Sequence, residues 1–192
     1  VIIAIEGGDQ TGKMTQAALL QESLCKQGHK ASILSFPDYT TPTGMKIKDM
    51  LHARSAPNPR LLHKLLAENR REKRDQIASL SQDAVLILDR YKYSNLAYGM
   101  ANGMEQDWLE EIDSQIPEAD IIILLDMDPI QARRRKHRGL DSFESNAEFA
   151  ASTRMIYLQL AQARNWKIVD ATGPQEQVQQ KILKLISMKL NP

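Results

Sequence analysis

The chain has 192 residues, with 25 Lys plus Arg against 24 Asp plus Glu and a formal net charge of +1. That length suits one domain with a sizeable core, and the near-neutral balance gives no support to a dedicated nucleic-acid or membrane-surface protein. Hydrophobic residues at 42% and charged residues at 26% exclude disorder as the default, and the single Cys25 excludes an intramolecular disulfide or a thiolate metal cluster within one chain.

The first apolar run, residues 1–5, lacks polar alternation and reads as a strand covered on both faces. No basic flank precedes it and Glu6-Gly7-Gly8 follows, which argues against a signal peptide. With no apolar run near the ~20 residues of a membrane helix, elimination places the chain in the cytoplasm. After this strand, Gly7, Gly8, Asp9, Gln10, Thr11, Gly12 and Lys13 match the first seven positions of G-x-x-x-x-G-K-[ST]. Ala17, Leu20 and Leu24 then form a helical stripe. Strand–loop–helix is the context a phosphate loop needs. Glycine lets successive N–H groups line one concave nest, the helix N-terminus adds partial positive charge, and Lys13 supplies a point charge for the outer phosphates.

The last motif position departs from the pattern: Met14 stands where a Ser or Thr hydroxyl would coordinate magnesium. A thioether is a poor ligand for a hard cation, and Thr15, one residue on, is rotated about 100° around the helix. Either carboxylates and phosphates hold the metal alone, or turnover is impaired.

A second strand at 31–35 leads into Phe36-Pro37. Leu61, Leu62, Leu65 and Leu66 make a helical stripe, with His63 expected on the helix surface. A third strand at 84–88 ends on Asp89-Arg90, and a fourth covers 121–125. A basic run at 131–138 ends at Gly139. Ile156, Leu158, Leu160 and Ala163 mark a further helix, residues 167–169 a weak fifth strand, and Val178, Ile182, Leu185 and Ile186 the last helix. Alternation of strand and helix implies right-handed parallel crossovers, hence one α/β domain over 1–192 with an open five-stranded parallel sheet and helices on both faces. Ligands then bind beyond the carboxyl ends of the strands. A carboxylate at Asp89 faces the loop and can hold hydrated magnesium, while Arg90 can chelate a phosphate with its planar fork.

Several blocks, in order, resemble thymidylate kinases: Glu6-Gly7-x-Asp9 through Gln16, Phe36-Pro37-Asp38-Tyr39, Ala67-Glu68-Asn69-Arg70-Arg71-Glu72, Asp89-Arg90-Tyr91 with Ser94-Asn95-Leu96-Ala97-Tyr98, and the arginine-rich stretch before Gly139-Leu140-Asp141. The likeness runs from Ile2 to about Ile182. It implies transfer of the γ-phosphoryl of ATP to dTMP with Mg2+, in a homodimer. ATP would lie on Gly7 to Thr15, with Asp170-Ala171-Thr172 on its adenine side. The acceptor would meet Asp9, Phe36, Tyr39, Leu66, Arg70, Arg90, Ser94, Asn95 and Tyr98. Within that set, Arg70 and Asn95 would face the base and Tyr98 the sugar.

By the same resemblance Asp89 and Asp9 would organise magnesium, directly or through water. Lys13, Arg90 and Asp89 would serve catalysis, joined by Arg134 and Arg138 from a short arginine-rich lid at about 133–144. Gln10, uncharged, points to the lid as the source of the catalytic arginine. Leu66 stands where the family stacks an aromatic on thymine, which loosens the expectation for the base. Two other readings stay open: a kinase for another pyrimidine deoxynucleotide, and a nucleotide-binding protein with little turnover. A nucleic-acid-binding reading rests on the basic run alone and ranks last.

Overall fold

The computed structural model describes residues 1–53, 56–135 and 147–190, without the side chains of 188–190. In chain order the elements are β1 (Ile2–Gly7), α1 (Lys13–Lys26), β2 (Ala31–Ser35), α2 (Pro42–His52), α3 (Pro59–Arg71), α4 (Arg74–Asp83) and β3 (Val85–Asp89). There follow α5 (Lys92–Ala101), α6 (Gln106–Ile112), β4 (Ile121–Asp126), α7 (Pro129–Arg134), α8 (Ala147–Ala163), β5 (Lys167–Asp170) and α9 (Gln175–Leu190). The five strands pair in the order β2-β3-β1-β4-β5, every pair parallel. The expected α/β architecture is therefore present.

Period-2 alternation divides the core into two layers. Ile2 and Ala4 of β1, with Leu86, Leu88 and Leu124, pack toward Tyr93, Leu96 and Ala97 of α5 and Tyr157 and Leu160 of α8. Ile3 and Ile5, with Ile87, Ile123 and Leu125, pack toward Ala17, Leu20 and Leu24 of α1 and Val178, Ile182 and Ile186 of α9. Central strands covered on both faces read as continuous apolar runs for this reason. The edge strands differ from that expectation. The residues of β2 are half-buried or exposed, and β5 buries only Val169.

Three helices start on the same local chemistry, a side-chain cap followed by proline. Thr41 Oγ1 accepts from Gly44 N at 3.0 Å, Asn58 Oδ1 from Leu61 N at 3.0 Å, and Asp128 Oδ1 from Ile130 N at 2.8 Å, with Pro42, Pro59 and Pro129 next in sequence. Each cap satisfies a donor the first turn cannot, and proline gives up one it does not need. On α3 the buried face is Leu62, His63, Ala67, Asn69 and Arg70, so the leucine stripe is displaced. Leu61 is exposed and His63 is buried, contrary to the surface position expected for it. On α8 the buried residues are Thr153, Tyr157, Leu160 and Ala161, not Ala163.

Chain order decides where the site lies. From β1 the chain crosses by α1 to the β2 edge, and from β3 it leaves for the β4 side. The connections diverge between the adjacent β1 and β3, so a crevice opens beyond their carboxyl ends. Glu6 and Gly7 end one strand there, and Asp89 ends the other, with Arg90 next in the chain.

Candidate active site

The loop after β1 is shaped by backbone that only particular residues accept. Gly7 has φ 145°, Gln10 φ 63° and Gly12, which caps α1, φ 94°. A Cβ on Gly7 would lie 2.6 Å from the Leu125 carbonyl oxygen and 2.9 Å from Thr11 Oγ1, so no other residue fits. Thr11 Oγ1 donates to the Gly8 carbonyl at 3.0 Å, and Lys13 Nζ donates to the same oxygen at 2.6 Å. Burial, helped by the Arg90 charge, pushes Lys13 down to about 7. The loop thus holds a lysine whose charge is only half-supported by the protein, and a polyphosphate would supply the rest.

A cleft of about 730 Å³ runs along this loop. Gln10 to Gln16, Asp89 and Arg90 line it on one side, and Ala171, Gly173 and Pro174 beyond β5 on the other. Arg135 closes the far side, donating through Nη2 to the carbonyls of Ala171 and Thr172 at 2.9 Å and of Gly173 at 3.3 Å. Met14 lines the cleft but is 73% exposed.

A second cavity of about 290 Å³ opens beside the first. All nine residues expected around the acceptor line it: Asp9, Phe36, Tyr39, Leu66, Arg70, Arg90, Ser94, Asn95 and Tyr98. Phe36 is buried after β2, its N–H donating to the Asp89 carbonyl at 3.0 Å, and the Phe36–Pro37 bond is cis. Asn69 fixes the following turn, accepting from Asp38 N at 2.7 Å and donating to the Asp38 carbonyl at 3.1 Å and Thr41 Oγ1 at 2.8 Å.

Phe36 and Arg90 line both cavities, so a group handed from one to the other would pass them. Arg90 adopts φ 62°. Its Nη1 donates to the Gly7 carbonyl and to Ser94 Oγ, both at 3.3 Å, and its Nη2 pairs with Asp9 Oδ1. Its guanidinium carbon lies 5.3 Å from the centre of the Tyr98 ring. Loss of solvent around the loop works to raise the Asp9 carboxyl, but the Arg90 and Lys13 charges overcome it and hold it below its ordinary value.

Beneath Arg90 lies Glu6, fully buried and named in the sequence only as the start of the loop block, with no role of its own. Its carboxylate accepts from Tyr91 N at 2.9 Å, from Ser94 Oγ and from the Tyr157 hydroxyl at 3.4 Å. Burial pushes it up to about 7, against those bonds and the nearby cations.

The end of this second cavity near Arg70 also holds groups that sequence reasoning missed. Arg70 donates to Asp113 through Nε at 2.9 Å and Nη2 at 2.7 Å, leaving Nη1 as the part of its fork not engaged by Asp113. Asn95 Nδ2 donates to Asp113 Oδ2 at 2.9 Å. His63 and Asn102 complete the wall. Asp113 follows α6, and nothing local in the sequence marks it out.

Two expected lid residues separate differently. Arg134 ends α7 exposed and lines neither cavity. Arg138, with most of the expected lid, lies outside the described residues. Arg154 of α8 is paired through two bonds with Asp126 at 2.7 and 2.9 Å.

For magnesium, the donor set is thin. Among the described residues no group of three or more His, Cys, Asp or Glu could hold a metal ion. Asp89 lines the cleft along the loop, Asp9 is paired with Arg90, and Met14 offers no side-chain oxygen. This fits an ion carried mainly by nucleotide phosphates and water, with one carboxylate beside it, and does not fit an all-protein cage.

A sequence model of the thymidylate kinase family matches residues 5–182. The chain belongs to the thymidylate kinase family. It is 33% identical over 184 residues to human thymidylate kinase, covering 94% of this chain and 87% of that one. It is 37% identical over 144 residues to thymidylate kinase of Schizosaccharomyces pombe, covering 74% and 69%. The solved thymidylate kinase of Candida albicans superposes with a TM-score of 0.81 at 28% identity, over 99% of this chain and 92% of that one. As a member of this kinase family, the chain is an ATP-dependent phosphotransferase on a phosphate-loop fold. Among the described residues no helix is long and apolar enough to cross a membrane.

Proposed function

We propose that this thymidylate kinase family member transfers the γ-phosphoryl group of ATP to dTMP, giving dTDP and ADP. The observation that carries the reading is the junction of the two cavities at Arg90, with the phosphate loop on one side and the expected acceptor residues on the other. Phosphoryl transfer asks the protein for positioning and charge, with little covalent chemistry.

Loop N–H groups and Lys13 hold the donor phosphates, and the segment Asp170-Ala171-Thr172, held by Arg135 at the last two carbonyls, faces the adenine. Arg90, held by Asp9, Ser94 and the Gly7 carbonyl, presents its fork to the acceptor phosphate. Tyr98 packs against the sugar, Arg70 and Asn95 address the base, and Leu66 and Phe36 wall it. Asp89 and Asp9 would hold the magnesium that enters with ATP, directly or through water. When bound, that ion neutralises charge on the transferring group. Arg134 and Arg138 belong to the lid that closes over the junction and excludes water. A homodimer by family likeness, cytoplasmic and acting on small molecules without nucleic acid or membrane, completes the reading.

The test is product identification by phosphorus NMR with ATP, dTMP and magnesium. Stoichiometric dTDP and ADP support the reading. ADP without dTDP, or no ADP at saturating nucleotides, overturns it.

A further inference from the structure

His63 is 1% exposed, faces the acceptor cavity, and has a polar partner at each ring nitrogen. Nδ1 lies 2.7 Å from Asn95 Oδ1, and Nε2 lies 3.2 Å from Asn102 Nδ2. Asn95 Nδ2 meets Asp113 Oδ2 at 2.9 Å and the His63 carbonyl at 3.3 Å. Both of those partners only accept, so the amino end of the Asn95 amide faces them and its oxygen faces His63. An amide oxygen also only accepts. The ring proton therefore sits on Nδ1, and Nε2 is the acceptor for Asn102. Burial pushes the imidazole below its ordinary pKa, with Arg70 acting in the same direction and the Asn95 bond against it; the neutral ring is the form this wall favours.

One hydrogen-bonded chain results, from His63 through Asn95 and Asp113 to Arg70. Its four members are buried, with exposures of 1%, 2%, 4% and 3%. Three of them, His63, Asn95 and Arg70, line the cavity, and Asp113 ties the last two together from behind.

We infer that His63 is a positioning residue for base selection: its Nδ1 proton fixes which end of the Asn95 amide is oxygen, and through Asn95 and Asp113 it holds the fork of Arg70. The inference rests on the acceptor reading above. A pyrimidine with a 4-oxo group offers an acceptor at O4 and a donor at N3, and a 4-amino pyrimidine offers the reverse. Arg70 can only donate, and Asn95 Oδ1 has a second lone pair to accept. That order suits the 4-oxo base and leaves a 4-amino base with donor against donor. His63 maintains the order without touching the transferring phosphoryl group.

The test compares wild type with His63→Leu, His63→Asn and His63→Gln. For each, kcat and KM are measured for dTMP and dCMP, together with KM for ATP and the melting temperature. Leucine removes the donor. Asparagine returns an N–H near the place of Nδ1, whereas glutamine places its amide nearer Nε2 and misses Asn95. The expected result for His63→Leu is a KM for dTMP raised about tenfold, the worth of one buried hydrogen bond. Its kcat stays within about twofold, its KM for ATP is unchanged, and its preference for dTMP over dCMP narrows. His63→Asn restores KM and preference, and His63→Gln does not.

An active wild type whose His63→Leu variant keeps both KM and preference overturns this inference alone. So does a His63→Asn variant no better than His63→Gln, a comparison that decides the matter if His63→Leu does not fold. A wild type that neither binds nor phosphorylates dTMP overturns the acceptor reading, and this inference with it.

Discussion

Arg70 and Asp113 meet as a buried two-point ion pair, Nε to Oδ1 at 2.9 Å and Nη2 to Oδ2 at 2.7 Å, with side chains 3% and 4% exposed. The arginine that resemblance assigns to the base is thus aimed in advance by a carboxylate from beyond α6. Pre-aiming reduces the ordering that binding would otherwise require.

The pair predicts a stability effect larger than surface charges give. Asp113→Ala leaves the Arg70 guanidinium buried without its partner, which costs about 3–5 kcal/mol. Urea unfolding checks this, and Glu68→Ala serves as comparison. Glu68 pairs with Arg71 with both side chains at least 40% exposed, and its loss costs less than about 1 kcal/mol.

Gly7→Ala introduces a Cβ 2.6 Å from the Leu125 carbonyl oxygen at a φ of 145°. Backbone cannot yield as a side-chain tip can, so the loop must shift. Loss of about 1–3 kcal/mol of stability is expected, with ATP binding by calorimetry weakened far beyond that of dTMP. Gly8→Ala, whose Cβ would meet only Thr11 Cγ2 at 3.9 Å, retains wild-type stability.

On the proposed reading Arg135 serves the donor side, its Nη2 donating to three carbonyls at 171–173. Arg135→Ala therefore raises the KM for ATP by about three- to tenfold and leaves the KM for dTMP unchanged. Steady-state kinetics with each substrate varied in turn decides it.

Lys13, held down to about 7 by burial and by Arg90, is partly neutral in the free protein at neutral pH. Bound phosphates favour the charged form, so its pKa rises on binding and ATP binding takes up a proton between about pH 7 and the bound value. The affinity for ATP then falls as pH rises above about 7. Calorimetry at pH 8 in buffers of different ionisation enthalpy measures the uptake, and Lys13→Met abolishes it. The stability linkage has the opposite sign. A lysine depressed in the folded state is a penalty below about pH 7, relieved as pH rises toward its ordinary value of 10.5.

The legible part of this protein was the part written in local chemistry. Runs at the central strands, the stripes of α1 and α9, and the glycines of the loop each depend on residues a few positions apart, and all appear as read. The edge strands β2 and β5 were legible as strands but not as edges, because strand order is a tertiary outcome. His63 misled because it stands among leucines at helical spacing, while the face that α3 buries is set by α5 and the cavity beside it. Asp113 and Glu6 act on Arg70 and Arg90 across 43 and 84 positions of chain, and no window of sequence reveals such a pairing. Arg135, one of several cations in the basic run at 131–138, owes its place to the carbonyls beyond β5.

The central claim is that this chain turns over ATP and dTMP although Met14 replaces the hydroxyl of the phosphate loop. Its most direct test is ADP formation from ATP and magnesium with dTMP, dUMP, dCMP or dGMP offered separately, against an acceptor-free control. Turnover with dTMP, shared at most with dUMP and far above the control, is the predicted result. ATP and dTMP bound by the wild type without ADP formation would contradict it, whether or not Met14→Thr restores turnover.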